Sequence, residues 1–144
     1  MKRIAIRLGI GLSVLFLGLQ FVPVEFPSGK NAKEIQTEES VKKIFRKSCY
    51  DCHSDLVKWP WYSRIFPVSL YLIHHVEEGK DELNFSEWED LKPSEKADLA
   101  EKILEEIEDG EMPLWDYKIL HPESKLNRED LETVRDWLQI YAEK

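Results

Sequence analysis

Hydrophobic positions fall into one unbroken apolar run near the start of the chain, followed by several amphipathic stretches of helical period. Residues 4 to 24 contain a single charge, Arg7, and as a helix they would extend about 30 Å, enough to cross a bilayer core. Lys2 and Arg3 precede the run and Arg7 can snorkel from its start, which predicts a cytoplasmic N-terminus with the rest of the chain on the far side. A cleaved secretory signal is the alternative, but no A-x-A-like site follows the run and the run is longer than a usual h-region. Residues 1–26 are therefore expected to form a transmembrane anchor or signal, and residues 27–36 a solvated linker carrying Pro27, Ser28, Gly29 and Asn31.

Residues 37–144 follow the 3.6-residue period. Thr37 is placed to cap a helix in which Val41, Ile44, Phe45 and Ser48 share a face, and this helix runs into Cys49. Pro67 opens a second helix through Val76, with Gly79 expected beyond its end. Leu83 to Trp88 reads as a loop that turns Phe85 and Trp88 inward, with Ser86 capping a short turn. Ser94 begins a helix with Ala100, Ile103, Leu104 and Ile107 as its apolar stripe and Gly110 as its terminator. Asn127, with Asp130 three residues on, begins a last helix that buries Leu131, Val134, Leu138 and Tyr141, with Trp137 beside them. No stretch alternates strongly enough to demand a strand, so the expected class is all-α, with four or five helices after the N-terminal one.

Charge narrows the choice of partners. The net charge of -8 combines a balance of +2 over residues 1–26 with -10 over the remainder. An acidic body repels phosphate backbones, so nucleic acid is not expected, and a protein with a basic docking surface suits it better. Glu101, Glu105, Glu106 and Glu108 are a solvated face first and a docking patch second.

Candidate chemistry centres on Cys49-Tyr50-Asp51-Cys52-His53. On a helical turn, two thiols and one imidazole at i, i+3 and i+4 share a face, the geometry for adding both thiols to haem vinyl groups and bringing His53 to the iron. A dithiol redox motif would need a βαβ setting, and structural zinc would need a second ligand pair. The chain has two cysteines, and its other histidines are His74, His75 and His121.

Downstream, Met112 lies in a polar loop beside Pro113, suited to presenting a thioether to iron from the other side; apart from Met1 it is the only methionine. His74 and His75 offer a bis-histidine alternative, although adjacent helical positions point about 100° apart and at most one could face the metal. An open sixth position is the third possibility. Trp59, Trp61, Tyr62 and Arg64 could line a haem and meet its propionates, or be plain core. Trp115, Tyr117 and Lys118 could extend that rim, and His121-Pro122 reads as a turn.

These residues resemble a bacterial haem-binding domain family that shares the C-x-x-C-H run, the W-P-W-Y-S segment at Trp59 to Ser63, the N-F-S-E-W segment at Asn84 to Trp88 and the E-M-P segment at Glu111 to Pro113. The resemblance spans roughly residues 36 to 142. It implies one covalently attached haem c on Cys49 and Cys52 with His53 as iron ligand, in a bacterial cell-envelope protein that is anchored in the inner membrane or exported to the periplasm. A helix leading into the attachment motif and a final amphipathic helix also resemble class I cytochromes c. The expectation is thus a cytochrome c-like monohaem electron carrier, with a five-coordinate sensor or small peroxidase as the alternative and a haem of purely structural role as a third reading.

Overall fold

The computed structural model describes residues 1–27, 29 and 33–142. Among them are seven α-helices, three short 3-10 turns and no strand, so the all-α expectation holds. The expected linker residues Ser28 and Asn31 and the last two positions, 143 and 144, lie outside the described residues.

Helix α1, Lys2–Leu19, corrects the expected membrane span. It stops at Leu19 because the chain turns through Gln20 and Phe21 ahead of Pro23, and its 18 residues include Lys2, Arg3 and Arg7. Its uncharged part is therefore only about 18 Å long at 1.5 Å per residue, and no helix among the described residues is long and apolar enough to cross a membrane. The inner-membrane anchor and the location derived from it fall with that span. Helix α1 is instead joined to the body through Gln20, whose Nε2 donates to the Phe66 carbonyl at 3.3 Å while the Phe66 N–H donates to Gln20 Oε1 at 3.0 Å.

The body begins before the expected boundary. Ile35 is completely buried, and Glu34 takes two hydrogen bonds from Arg46, each 2.5 Å long. Helix α2, Glu39–Ser48, buries the four residues its period marked, Val41, Ile44, Phe45 and Ser48. Its N-cap is Glu38 rather than Thr37. At Cys49 the backbone leaves helical geometry (φ -126°) and restarts as the single turn α3, Tyr50–His53.

Helix α4, Val68–Glu82, runs six residues past the expected end at Val76, because Gly79 lies inside it rather than beyond its end. A glycine in a helix interior costs about 1 kcal/mol relative to alanine. Here it lets α4 cross α3 closely, since a Cβ at Gly79 would lie 2.9 Å from the Cys52 carbonyl oxygen and 3.3 Å from its carbonyl carbon.

Helix α5, Pro93–Glu108, starts with proline in its first turn, and Glu95 folds back to accept from the Lys92 N–H at 2.7 Å, so Ser94 is not its cap. Gly110 ends it with φ +77°, a left-handed conformation that glycine adopts without strain. A short helix that the sequence pattern did not reveal, α6, Trp115–Leu120, follows the Met112 loop. Helix α7, Arg128–Ala142, opens on the expected reciprocal cap: Asn127 Oδ1 accepts from the Asp130 N–H and Asp130 Oδ2 from the Asn127 N–H, both at 2.9 Å.

The core lies where α2, α5 and α7 meet the 83–91 segment. Phe45 is its hub, with ring centroids 4.5 Å from Phe85 and 5.2 Å from Trp137, and Trp88, fully buried, packs on Trp137 and Tyr141 at 5.3 Å each. Aromatic pairs of this kind add about 0.5–1.5 kcal/mol each beyond simple burial. Lys47 on α2 meets Asp130 on α7 at 2.6 Å, tying the two helices at the edge of this core. The core thus holds the end of α2 rigid, and that is where the turn carrying Cys49, Cys52 and His53 begins.

Candidate functional site

A cavity of about 770 Å³ opens beside α3, with Cys49, Cys52 and His53 on one part of its wall and Met112, Pro113 and Leu114 on another. Small-molecule and cofactor sites span about 300–1,000 Å³. Phe85, Leu99, Ile103, Ile107 and Leu126 line it with apolar surface, and most of its charged lining residues, Glu78, Asp81, Glu82, Lys102, Glu105 and Glu106, are exposed. The result is a greasy slot with a predominantly acidic rim.

His53 is held by backbone. Its Nδ1 lies 3.1 Å from the Leu83 carbonyl, and because a carbonyl can only accept, Nδ1 carries the proton and Nε2 keeps its lone pair. Burial pushes the His53 pKa below its ordinary value against the opposing pull of the Leu83 and Gly79 carbonyls, so the ring is neutral at pH 7. The anchoring carbonyls belong to the C-terminal end of α4, which passes close only because Gly79 has no side chain. In return, the His53 carbonyl accepts from the Phe85 N–H at 2.8 Å, and the Asp55 N–H donates to Ser86 Oγ at 3.0 Å. The N-F-S-E-W segment, for which the sequence offered no chemistry, therefore clamps the turn from behind.

The cysteines are half-buried thiols on the cavity wall. Burial raises Cys49 to about 12, with the neighbouring Cys52 adding to the shift, and raises Cys52 to about 11, with Asp51 and Asp116 adding to it. A dithiol redox centre needs the opposite shift, toward thiolate at neutral pH. Zinc is no better served, since no group of three or more His, Cys, Asp and Glu among the described residues is placed to hold a metal ion.

Met112 is partly buried against the core, and its N–H donates to the Glu106 carbonyl at 3.1 Å, which fixes the loop after Gly110. His75 also faces the cavity, whereas His74 points outward with 63% of its side chain exposed and reaches Glu78 at 3.3 Å. The adjacent histidines thus split, as helical geometry requires.

The tryptophan-rich segment lies elsewhere. Trp59 packs edge-on against Phe26 at 4.7 Å, Arg64 sits over the same ring at 5.4 Å, and Trp61 is 79% exposed. Tyr62 bonds His121 at 2.6 Å. None of Trp59, Trp61, Tyr62 and Arg64 reaches the cavity wall, because the 3-10 turn Trp61–Arg64 packs on α4 away from it. In their place stands Tyr117, which lines the cavity, donates to Asp51 at 2.8 Å and stacks on His121 at 4.3 Å. The sequence marked Tyr117 only as part of a rim, and its pairing with Asp51 spans 66 residues with no local signal.

The donor set suits an iron porphyrin: two thiols a helical turn apart, a neutral imidazole with Nε2 free, a thioether and an apolar slot. Searches among curated proteins and among solved structures gave no match. A family model for a haem-binding domain matches residues 14–140. Spanning nearly the whole chain and enclosing this cavity, that match places the protein in the haem-binding domain family, and its cofactor is haem.

Proposed function

We propose that this protein is a c-type monohaem electron carrier with a cytochrome c-like body formed by the residues from about Glu34 onward. Cys49 and Cys52 would hold the haem through its vinyl groups, and His53 and Met112 would ligate its iron. The observation that carries this reading is the fixing of His53 Nδ1 on the Leu83 carbonyl, which leaves Nε2 available in the cavity that also contains both thiols and the Met112 loop.

When bound, the haem supplies a one-electron iron couple. The chain's residues do the rest. Leu83 orients His53 and keeps it basic, as outer hydrogen bonds to metal-bound histidines generally do. Phe85, Ile103 and Ile107 exclude water from the slot, which favours the less charged form of the centre. A thioether joining the imidazole in the ligand set would raise the potential relative to two imidazoles. The acidic rim at Glu78, Asp81, Glu82, Glu105 and Glu106 steers a redox partner with a basic docking surface.

One observation favours a second reading. His75 on the cavity wall supplies the histidine that a five-coordinate sensor or small peroxidase would use beside an open iron position. Carbon monoxide added to the reduced holoprotein separates the two. The carrier reading expects slow, incomplete binding and a near-infrared sulfur-to-iron band in the oxidised protein. Fast stoichiometric binding with no such band would replace it with the second reading.

A further inference from the structure

The W-P-W-Y segment leaves the cavity wall yet stays connected to it by rings. Tyr117 on the wall stacks on His121 with centroids 4.3 Å apart and planes 17° from parallel, His121 lies 6.0 Å from the Tyr62 ring, and Tyr62 lies 5.8 Å from Trp61. Trp61 is 79% exposed. Four consecutive aromatic rings thus lead from the cofactor cavity to solvent.

Tyr62 also has a built-in base. A phenol loses an electron readily only if its proton has somewhere to go at the same moment. Tyr62 Oη is 2.6 Å from His121 Nε2, and His121 Nδ1 is 3.3 Å from Glu123 Oε1. A carboxylate only accepts, so Nδ1 holds the ring proton and Nε2 accepts from Tyr62. Glu123 stands ready to pair with the imidazolium that forms when the phenol proton crosses. Tyr117 is fixed by its bond to Asp51, so its ring serves as the bridge between Tyr62 and the cavity. Packing alone explains neither a base aligned on the buried side of Tyr62 nor a bare indole beside it.

We propose that Tyr62 and His121 form a second one-electron centre, connected to the haem through the stacked rings of His121 and Tyr117 and to solvent through Trp61. It removes oxidising equivalents from the haem on the occasions when hydrogen peroxide displaces the Met112 thioether and reacts there. Peroxide takes up two protons from solvent and two electrons, one from the reduced haem, which is left oxidised, and one from Tyr62, and gives two waters; the redox partner that serves the carrier then reduces the haem again. As Tyr62 is oxidised its O–H proton passes to His121 Nε2, leaving a neutral phenoxyl beside an imidazolium paired with Glu123. Trp61 returns an electron to Tyr62, which recovers its proton from His121, and Trp61 is restored by a one-electron reductant in solution such as a phenol. This inference rests on haem occupying the cavity.

The test uses the haem-loaded full chain, with loading first verified by the absorbance retained after denaturation. Peroxide is mixed in, the sample is frozen within a second, and the organic radical is read by electron paramagnetic resonance. The expected result is a tyrosyl signal that falls at least about fivefold in Tyr62→Phe, with haem bleaching correspondingly faster. Trp61→Phe should retain the signal and lengthen its life about tenfold in the presence of an added phenol. His121→Gln, which keeps a hydrogen-bonding side chain but lacks the base, should lose it as Tyr62→Phe does. Full loading with no radical, or with a signal indifferent to Tyr62→Phe, overturns the relay while leaving the carrier intact. A chain that takes up no haem overturns both.

Discussion

Gly79→Ala tests whether α4 truly rests on the turn α3 that carries Cys52 and His53. In an open helix interior this change removes the glycine penalty and stabilises by about 0.5–1 kcal/mol. Here the new Cβ would meet the Cys52 carbonyl oxygen at 2.9 Å and the Cys52 carbonyl carbon and Cβ at 3.3 Å. Those atoms are backbone and the root of a side chain, so none can swing aside. Helix α4 must retreat by several tenths of an ångström, and overpacking of this sort costs about 1–3 kcal/mol. The clash outweighs the propensity gain, leaving the variant about 1–2 kcal/mol less stable. With a urea slope of about 2 kcal/mol/M, the midpoint should fall by about 0.5–1 M. The retreat also lengthens the 3.1 Å bond from His53 Nδ1 to Leu83, which should change the haem spectrum and raise the potential as the imidazole loses basicity. A midpoint that rises, or stays put with an unchanged spectrum, would refute the packing argument, because only a glycine free of Cys52 gives that result.

Three further outcomes are expected. Met112→Ala should abolish the sulfur-to-iron band and open the iron to carbon monoxide, and an unchanged spectrum would remove Met112 from the ligand set. Burial alone would push the Asp130 carboxyl up, but the Lys47 ammonium and the Asn127 backbone N–H outweigh it and hold the group below its ordinary value. Its contribution to stability is therefore full above the ordinary aspartate pKa of about 3.9 and is lost as pH falls through the lower folded value; Asp130→Asn should flatten the acid limb of a stability profile, and an unaltered limb would contradict the assignment. Reversing Glu105 and Glu106 to lysine should slow electron transfer with a basic soluble cytochrome at least about tenfold at low salt and invert its salt dependence, whereas an unchanged rate would place docking elsewhere.

How much of this could be read from the sequence depended on whether the signal was local. The buried face of α2 follows from periodicity, and the Asn127/Asp130 cap and the Gly110 stop follow from short-range chemistry, so these appeared as expected, whereas α7 buries Val134, Leu138 and Trp137 and leaves Leu131 and Tyr141 half-buried. Cys49, Cys52, His53 and Met112 stood out as residue types in a spacing, and they meet on one cavity. What holds them did not stand out. The Leu83 carbonyl is backbone and looks the same at every position, and Gly79 reads as a helix stop until its neighbour Cys52 is known. The W-P-W-Y segment was conspicuous by composition, but nothing in composition says which way a 3-10 turn faces, and this one faces Phe26 and His121 instead of the cavity. The apolar N-terminal run was long enough by count, yet the helix ends at Leu19 and includes its own cations, an outcome that turns on a few residues at either end.

The central claim is that iron porphyrin is bonded to Cys49 and Cys52, and the mass of the intact chain, recorded under denaturing conditions after expression with a haem-attachment system, tests it most directly. The account predicts a single species heavier than the polypeptide by one haem, and loss of that increment in Cys49→Ala with Cys52→Ala. A bare polypeptide mass, with the pigment released into acidified solvent, would contradict it.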